Sequence, residues 1–132
     1  MSAAPSDIAR SRARAGAVVG LAALASFQLA LALGAPWGAA AWGGAHPGVL
    51  PDELRRASGA AAPMYAGLVV FVLSDVGGRW RGRVLVVFAV LFALGAVLNY
   101  ASPSWIERLV WDPIAALLSW SFGRLRPREP SR

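Results

Sequence analysis

Few side chains in this sequence could do chemistry, and most of them lie in two polar segments that separate long apolar runs. His46 or Asp112 could accept a proton. Arg55 or Arg108 could bind an anionic headgroup. General acid–base catalysis requires two such groups within hydrogen-bond distance, and spacing alone does not bring the two segments together, so no catalytic residue is assigned. The candidates for ligand binding or for a structural role on the outward face are Trp37, Trp42, His46, Arg55, Asn99, Glu107, Arg108 and Asp112.

The sequence predicts neither a metal site nor a cofactor. Cysteine is absent, which excludes disulfides, thiolate ligands and thiol catalysis. His46 is the only histidine, and scattered carboxylates do not supply the three or four ligands that a stable metal site needs. No glycine-rich nucleotide motif or Ser-His-Asp set is visible, and the loops are too short to hold a catalytic domain. These features favour a non-enzymatic protein over an enzyme.

The composition is typical of a membrane protein. Hydrophobic residues make up 57% of the chain and charged residues 15%, against about 25% charged in a typical soluble domain. The 13 basic residues are all arginine, and the net charge of +6 would on a soluble domain suggest nucleic-acid binding. Here the arginines form short clusters between apolar runs, so we expect a lipid bilayer and no nucleic acid as the partner.

Four apolar runs predict an all-α fold, namely a four-helix transmembrane bundle of two helical hairpins. Each run approaches the roughly 20 residues that a helix needs to cross the hydrocarbon core. The predicted organisation is a basic arm at 1–14, a transmembrane domain at 15–125 with helices at about 15–35, 51–76, 84–101 and 104–125, and a basic tail at 126–132.

Two of these runs have alternative interpretations. The first could be a cleaved signal peptide, but it exceeds the about 7–15 apolar residues of such a segment, and further runs follow it. The fourth contains Asp112 and Pro113, so it could be a re-entrant or interfacial helix. Ser104 and Glu107 have the spacing of a helix capping box, and arginines close the run, which favours a full crossing.

The distribution of arginine predicts the orientation. Ten of the 13 arginines lie in the N-terminal arm, in the connection between the second and third runs, and in the tail. Because arginine-rich short segments stay in the cytoplasm, both termini are expected there and the other two connections outside. Four of the six tryptophans fall on this outer side, where they could anchor among lipid headgroups: Trp37, Trp42, Trp105 and Trp111.

Polar residues near the outer side have structural interpretations as well as functional ones. Asp112 is ionisable at membrane depth, which makes it a functional candidate, but it could stay hydrated or pair with Arg108 one turn earlier. Gln28 and Asn99 are typical of hydrogen bonds between helices. The connection at 36–50 is longer than a minimal turn, so it could be functional or could simply anchor the protein at the membrane surface.

A further set of residues covers most of both outer connections. It comprises Gly34, Ala35, Pro36, Trp37, Gly38, Trp42, Gly43, Gly44, Leu50, Pro51, Leu54, Arg55, Ser58, Asn99, Ser102, Ser104, Glu107, Arg108, Trp111 and Pro113. This pattern resembles a family of small, functionally uncharacterised bacterial four-helix membrane proteins. The resemblance implies the same topology and the same location in the inner membrane. It does not indicate a reaction, because the family has no assigned activity. From the similar placement of Arg55 and the Glu107–Arg108 pair we expect an ion pair between the two connections.

Two classes of function stay open. The first is a non-enzymatic accessory protein, subunit or small-solute carrier, whose outer connections pack together and which could assemble with itself or with another membrane protein. The alternative is an outward-facing membrane enzyme or lipid-headgroup-handling protein that uses the two connections. Transport would require polar residues along a path, which four such apolar helices could provide only as an oligomer.

Overall fold

The computed structural model describes residues 4–127, and this part of the chain is all-α with four helices and no strand, as predicted. Residues 1–3 of the predicted arm and 128–132 of the predicted tail lie outside the described range. The helices are α1 (Pro5–Ala32), α2 (Asp52–Leu73), α3 (Arg81–Ala101) and α4 (Asp112–Arg124). Short turns accompany them: 3₁₀ turns at Gly38–Ala40, Trp42–Gly44 and Gly78–Trp80, and a π turn at Glu107–Trp111.

Helix α1 begins ten residues before the apolar run that predicted it. Pro5 occupies the first turn, where its missing N–H is not needed, and Asp7 lies near the positive end of the helix dipole. The arginines that follow are good helix formers, so the basic arm extends the helix instead of preceding it. Helix α2 begins after Pro51, one residue later than predicted, with Asp52 and Glu53 in its first turn, and it ends three residues earlier than predicted because Ser74 is extended.

Three helical segments are long and apolar enough to cross a membrane: Pro5–Ala32, Asp52–Leu73 and Gly78–Ala101. Their outer surfaces expose large aliphatic side chains. In α3 only Leu85 and Phe92 are buried, while Val97 and Leu98 are more than half exposed. Such a surface suits hydrocarbon, since soluble monomers rarely expose contiguous apolar patches of this extent.

The helices pack in the order α2, α1, α4, α3. Helix α1 packs along both α2 and α4, and α3 packs along α4, whereas α2 and α3 scarcely touch each other. The guanidinium of Arg14, near the start of α1, donates to the carbonyl of Leu73 at the end of α2. That of Arg10 donates to the carbonyl of Leu125 after α4, at 3.5 Å. Helix α1 is therefore antiparallel to both α2 and α4.

Two ends of the molecule follow from this packing. The arginine end carries the described parts of both termini and the α2–α3 connection. Arg81, the first residue of α3, donates there to the carbonyls of Phe71 at 2.9 Å and Val76 at 3.0 Å. These bonds satisfy carbonyls that a helix end or turn leaves without partners. The opposite end, which we call the cap, consists of residues 33–51 and 102–111.

The α1–α4 contact depends on small residues. A Cβ atom on Gly20 would lie 2.9 Å from Leu118 Cδ2, and one on Gly16 would lie 3.1 Å from Ser121 Oγ. The glycines let the two backbones approach closely, as in many membrane helix pairs. Leu118 and Phe122 are fully buried here and form the apolar core with Leu21.

The fourth helical segment contains a π turn directly before Pro113. Asp112 N donates to the carbonyl of Glu107, five residues earlier. Proline has no N–H for the residue four positions before it, and its ring crowds that carbonyl, so a widened turn accommodates Pro113 without breaking the helix. Helical structure runs from Trp105 to Arg124, about 30 Å at 1.5 Å per residue. Its regular α part, 13 residues, is not among the three segments with membrane-spanning length.

Candidate functional site

The cap is joined through the carboxylate of Glu107, which is only 6% exposed. One oxygen accepts a hydrogen bond from Gly43 N at 2.9 Å, across the two connections. The other accepts from the hydroxyl of Ser102, within the α3–α4 connection. Hydrogen bonds to an ionised acceptor are stronger than neutral ones, so Glu107 fixes the position of the first connection on the second.

Two further hydrogen bonds reinforce this junction. Ser104 Oγ donates to the carbonyl of Ala39 at 2.8 Å, and Trp111 Nε1 donates to the carbonyl of Ala40 at 2.8 Å. The first connection contains no regular helix longer than one turn, so its backbone groups need such partners. The second connection therefore holds the first at three places along its backbone.

The capping box predicted from the sequence is half present. Ser104 Oγ accepts from Glu107 N at 3.3 Å, as the motif requires. The reciprocal bond is different, because Ser104 N donates to Ser102 Oγ at 3.1 Å instead of to Glu107. The Glu107 carboxylate therefore does not cap its own helix. It accepts a hydrogen bond from Gly43 N and so joins the two connections.

Glycines make the first connection compact enough to meet the second. Gly43 and Gly44 have φ values of +73° and +70°, a region that side chains rarely adopt. A Cβ atom on Gly44 would lie 3.1 Å from Ser104 Cβ. A Cβ atom on Gly38 would overlap the carbonyl oxygen of His46, so the backbone folds closely on itself at this position.

The prediction of an ion pair between the two connections is wrong. Arg55 instead donates from Nε and NH2 to the carbonyl of Ala32, at 3.2 and 3.1 Å, and lies 3.6 Å from the carboxylate of Asp52 in its own helix. It therefore closes the C-terminus of α1 and ties α1 to α2. Glu107 accepts hydrogen bonds from neutral donors. Burying these donors does not require a second charged group to lose its hydration, as burial of an arginine would.

The other candidate residues do not converge. The side chains of His46 and Arg108 are exposed, and Asp112 is half-buried with no ion pair to Arg108 within the described chain. Trp37 is half exposed and lies parallel to Phe27, with 6.2 Å between ring centroids. In residues 4–127 no group of three or more histidine or acidic side chains is placed to hold a metal ion.

A cavity of about 400 Å³ lies beneath the cap. Helices α2 and α3 form its sides, α1 and α4 its back wall, and residues 40–42 its roof. Because α2 and α3 meet near the arginine end and scarcely touch elsewhere, the cavity is open between them. Its volume falls within the about 300–1,000 Å³ typical of small-molecule sites.

The lining is mainly apolar and aromatic, with three polar residues near the roof and Tyr65 farther along α2. Six aromatic side chains line it: Phe27, Trp42, Tyr65, Phe88, Phe92 and Trp111. The polar groups are Gln28, Tyr65, Asn99 and Glu107. The side-chain oxygen of Gln28 is buried and has no hydrogen-bond partner among the described residues, so it does not bridge helices as the sequence predicted. A buried acceptor of this kind is costly unless a ligand or water satisfies it.

Of the candidate residues, only Trp42, Asn99 and Glu107 line the cavity. The five other aromatic residues of the lining were not among the candidates, although Phe88, Phe92, Gly95 and Asn99 follow one another at spacings of four, three and four, which places them on one helix face. That spacing predicts a buried face but does not distinguish a packed core from a cavity.

Comparisons with models of protein families, with curated proteins and with solved structures found no match. The resemblance of the two outer connections to a known family therefore stays a prediction.

Proposed function

We propose that this chain is a non-enzymatic membrane protein that binds an amphiphilic small molecule, drawn from the bilayer into the cavity between α2 and α3. The single observation that carries the proposal is the cavity itself, which combines a mainly apolar body between α2 and α3 with Gln28, Asn99 and Glu107 at the end near the cap. An amphiphile presents the same division between an apolar body and a polar head. A carrier or an accessory subunit could both use such a site.

In the proposed topology the chain spans the inner membrane of a bacterium four times, with both termini in the cytoplasm and the cap outside. Two observations support this topology. Eight arginines of the described chain lie at the arginine end, and the exposed Trp42 and Trp105 lie at the cap. The about 30 Å of helix from Trp105 to Arg124 supports a fourth crossing. The cavity would then open sideways into the outer half of the bilayer.

The enzyme alternative has less support. It relied on His46 or Asp112 as proton acceptors and on Arg55 or Arg108 as anion-binding groups. None of these four residues is among those that line the cavity. Binding without reaction requires only the shape and polarity described above.

Blocking the cavity tests the proposal. Gly95 lines the cavity, and a Cβ atom there would meet no atom within 4 Å, so the side chain of Gly95→Leu can enter the cavity without disturbing the helix. Gly67→Leu is the matched control, because Gly67 also has open space around it but lies outside the lining.

The measurement is equilibrium dialysis of the detergent-purified chain with three radiolabelled phenyl-rich probes: tetraphenylphosphonium, tetraphenylborate and triphenylphosphine oxide. We expect at least one probe to bind the native chain and Gly67→Leu at least about tenfold more tightly than Gly95→Leu. If all three probes bind native and Gly95→Leu protein equally, the cavity is not a binding site.

A further inference from the structure

The charges around the cavity narrow the class of ligand. Within the described chain, Glu107 is the one residue of the lining that carries a formal charge at neutral pH, and no arginine or histidine belongs to the lining. The only ion pair in this part of the protein joins Arg55 to Asp52, outside the cavity. A ligand would therefore meet one negative charge and no positive charge.

Glu107 has capacity to bind a further group. Its two hydrogen bonds, from Gly43 N and Ser102 Oγ, use one lone pair on each oxygen, and an ionised carboxylate offers about four such acceptor sites. Both donors are neutral, so no cation in its hydrogen bonds balances the charge. Buried charges in proteins are usually paired, because an unpaired ion in apolar surroundings is strongly disfavoured.

The aromatic lining favours the same sign of charge. The faces of aromatic rings carry negative electrostatic potential, and cages of such rings are a common means of binding quaternary ammonium groups. Six aromatic residues surround this cavity, and two of them, Trp42 and Trp111, belong to the cap together with Glu107. An anionic headgroup would instead meet the carboxylate and the ring faces without any cation to stabilise it.

We propose that the cavity binds lipophilic organic cations, with the aromatic side chains surrounding the apolar body and Glu107 as the counterion. This inference rests on the proposed function, since it names the ligand class of the same cavity. Neutral hydrogen-bond acceptors at Gln28 and Asn99 would contact polar substituents of the cation.

The three probes of the blocking experiment test this assignment, because tetraphenylphosphonium and tetraphenylborate have nearly the same shape and opposite charge. Site-specific binding is taken as the difference between native and Gly95→Leu protein, which removes partitioning into the micelle. We expect the cation to bind the native site at least about tenfold more tightly than either the anion or the neutral oxide. Equal affinity for the cation and the anion overturns the inference.

A variant then tests the role of Glu107. Glu107→Gln keeps the size and one acceptor oxygen for Gly43 N, so we expect affinity for tetraphenylphosphonium to fall about tenfold more than affinity for triphenylphosphine oxide. A size-exclusion profile that matches that of the native protein shows that the variant is folded. Glu53→Gln is the control, since Glu53 is exposed at the start of α2 and outside the lining. Native-like cation binding by Glu107→Gln refutes the counterion role.

The two proposals fail in different ways. If no probe distinguishes native from Gly95→Leu protein, the proposed function fails and the ligand class fails with it. If Gly95→Leu weakens the binding of the borate or the oxide but not that of the phosphonium, the cavity is a binding site and only the assignment to cations is wrong. Should Glu107→Gln fail to fold, the charge preference of the native protein alone decides the inference.

Discussion

At the scale of single residues, the two polar connections contain side chains that act on backbone groups more than on one another. Arg55 closes the end of α1, Trp111 and Ser104 bond to carbonyls of the first connection, and Glu107 accepts from Gly43 N. The first connection lacks long regular structure, so its polar backbone groups are the ones that need partners. The resemblance to a known family suggested an ion pair, whereas in the structure these side chains form hydrogen bonds with the backbone groups that need partners.

Arg55→Ala tests this assignment at one position. The substitution removes two hydrogen bonds to the carbonyl of Ala32 at the end of α1, so we expect the free energy of unfolding to fall by about 1–2 kcal/mol. The measurement is unfolding of the purified chain in mixed micelles of increasing denaturing detergent.

Arg56→Ala is the control for this change, because Arg56 is the neighbouring arginine and its side chain is exposed. A loss of stability that is equal in the two variants would mean that charge, and not the bond to Ala32, is what matters at this end of α2.

At the scale of helices, the sequence predicts much of the fold. The apolar runs locate all four helical segments, and Ser104 with Glu107 predicts where the last one begins. Two features could not be read this way. Helix α1 begins earlier than predicted because arginine is a good helix former, so the helix includes the arginines that precede the apolar run. The cavity arises because α2 and α3 separate, which is a property of tertiary packing that no single helix encodes.

Gly20→Val tests the close approach of α1 and α4. Its Cβ would lie 2.9 Å from Leu118 Cδ2, and the two methyl groups of valine cannot be placed without moving a fully buried leucine. We expect the free energy of unfolding to fall by about 1–3 kcal/mol relative to Gly67→Val, whose site has open space. The same micelle titration measures it. Equal stability of the two variants would show that the α1–α4 contact tolerates wider spacing.

At the scale of the whole molecule, three regions follow one another along the helices. An arginine-rich end satisfies the carbonyls of helix termini, an apolar middle exposes aliphatic side chains, and the cap joins the two remaining connections. The cavity opens from the middle region just beneath the cap. If hydrocarbon surrounds the middle region, a molecule dissolved in the bilayer can reach the cavity without passing through water.

If the chain spans the membrane as proposed, the cap and the arginine end lie on opposite sides of it, and cysteine labelling can distinguish the two sides. The chain has no cysteine, so Ala45→Cys in the cap and Ser11→Cys in α1, both at exposed positions, each introduce one reactive thiol. A membrane-impermeant maleimide is applied to intact spheroplasts and then to lysed ones. We predict labelling of Ala45→Cys before lysis and of Ser11→Cys only after it. Labelling of both variants, or of Ser11→Cys alone, before lysis would show that the proposed orientation is wrong.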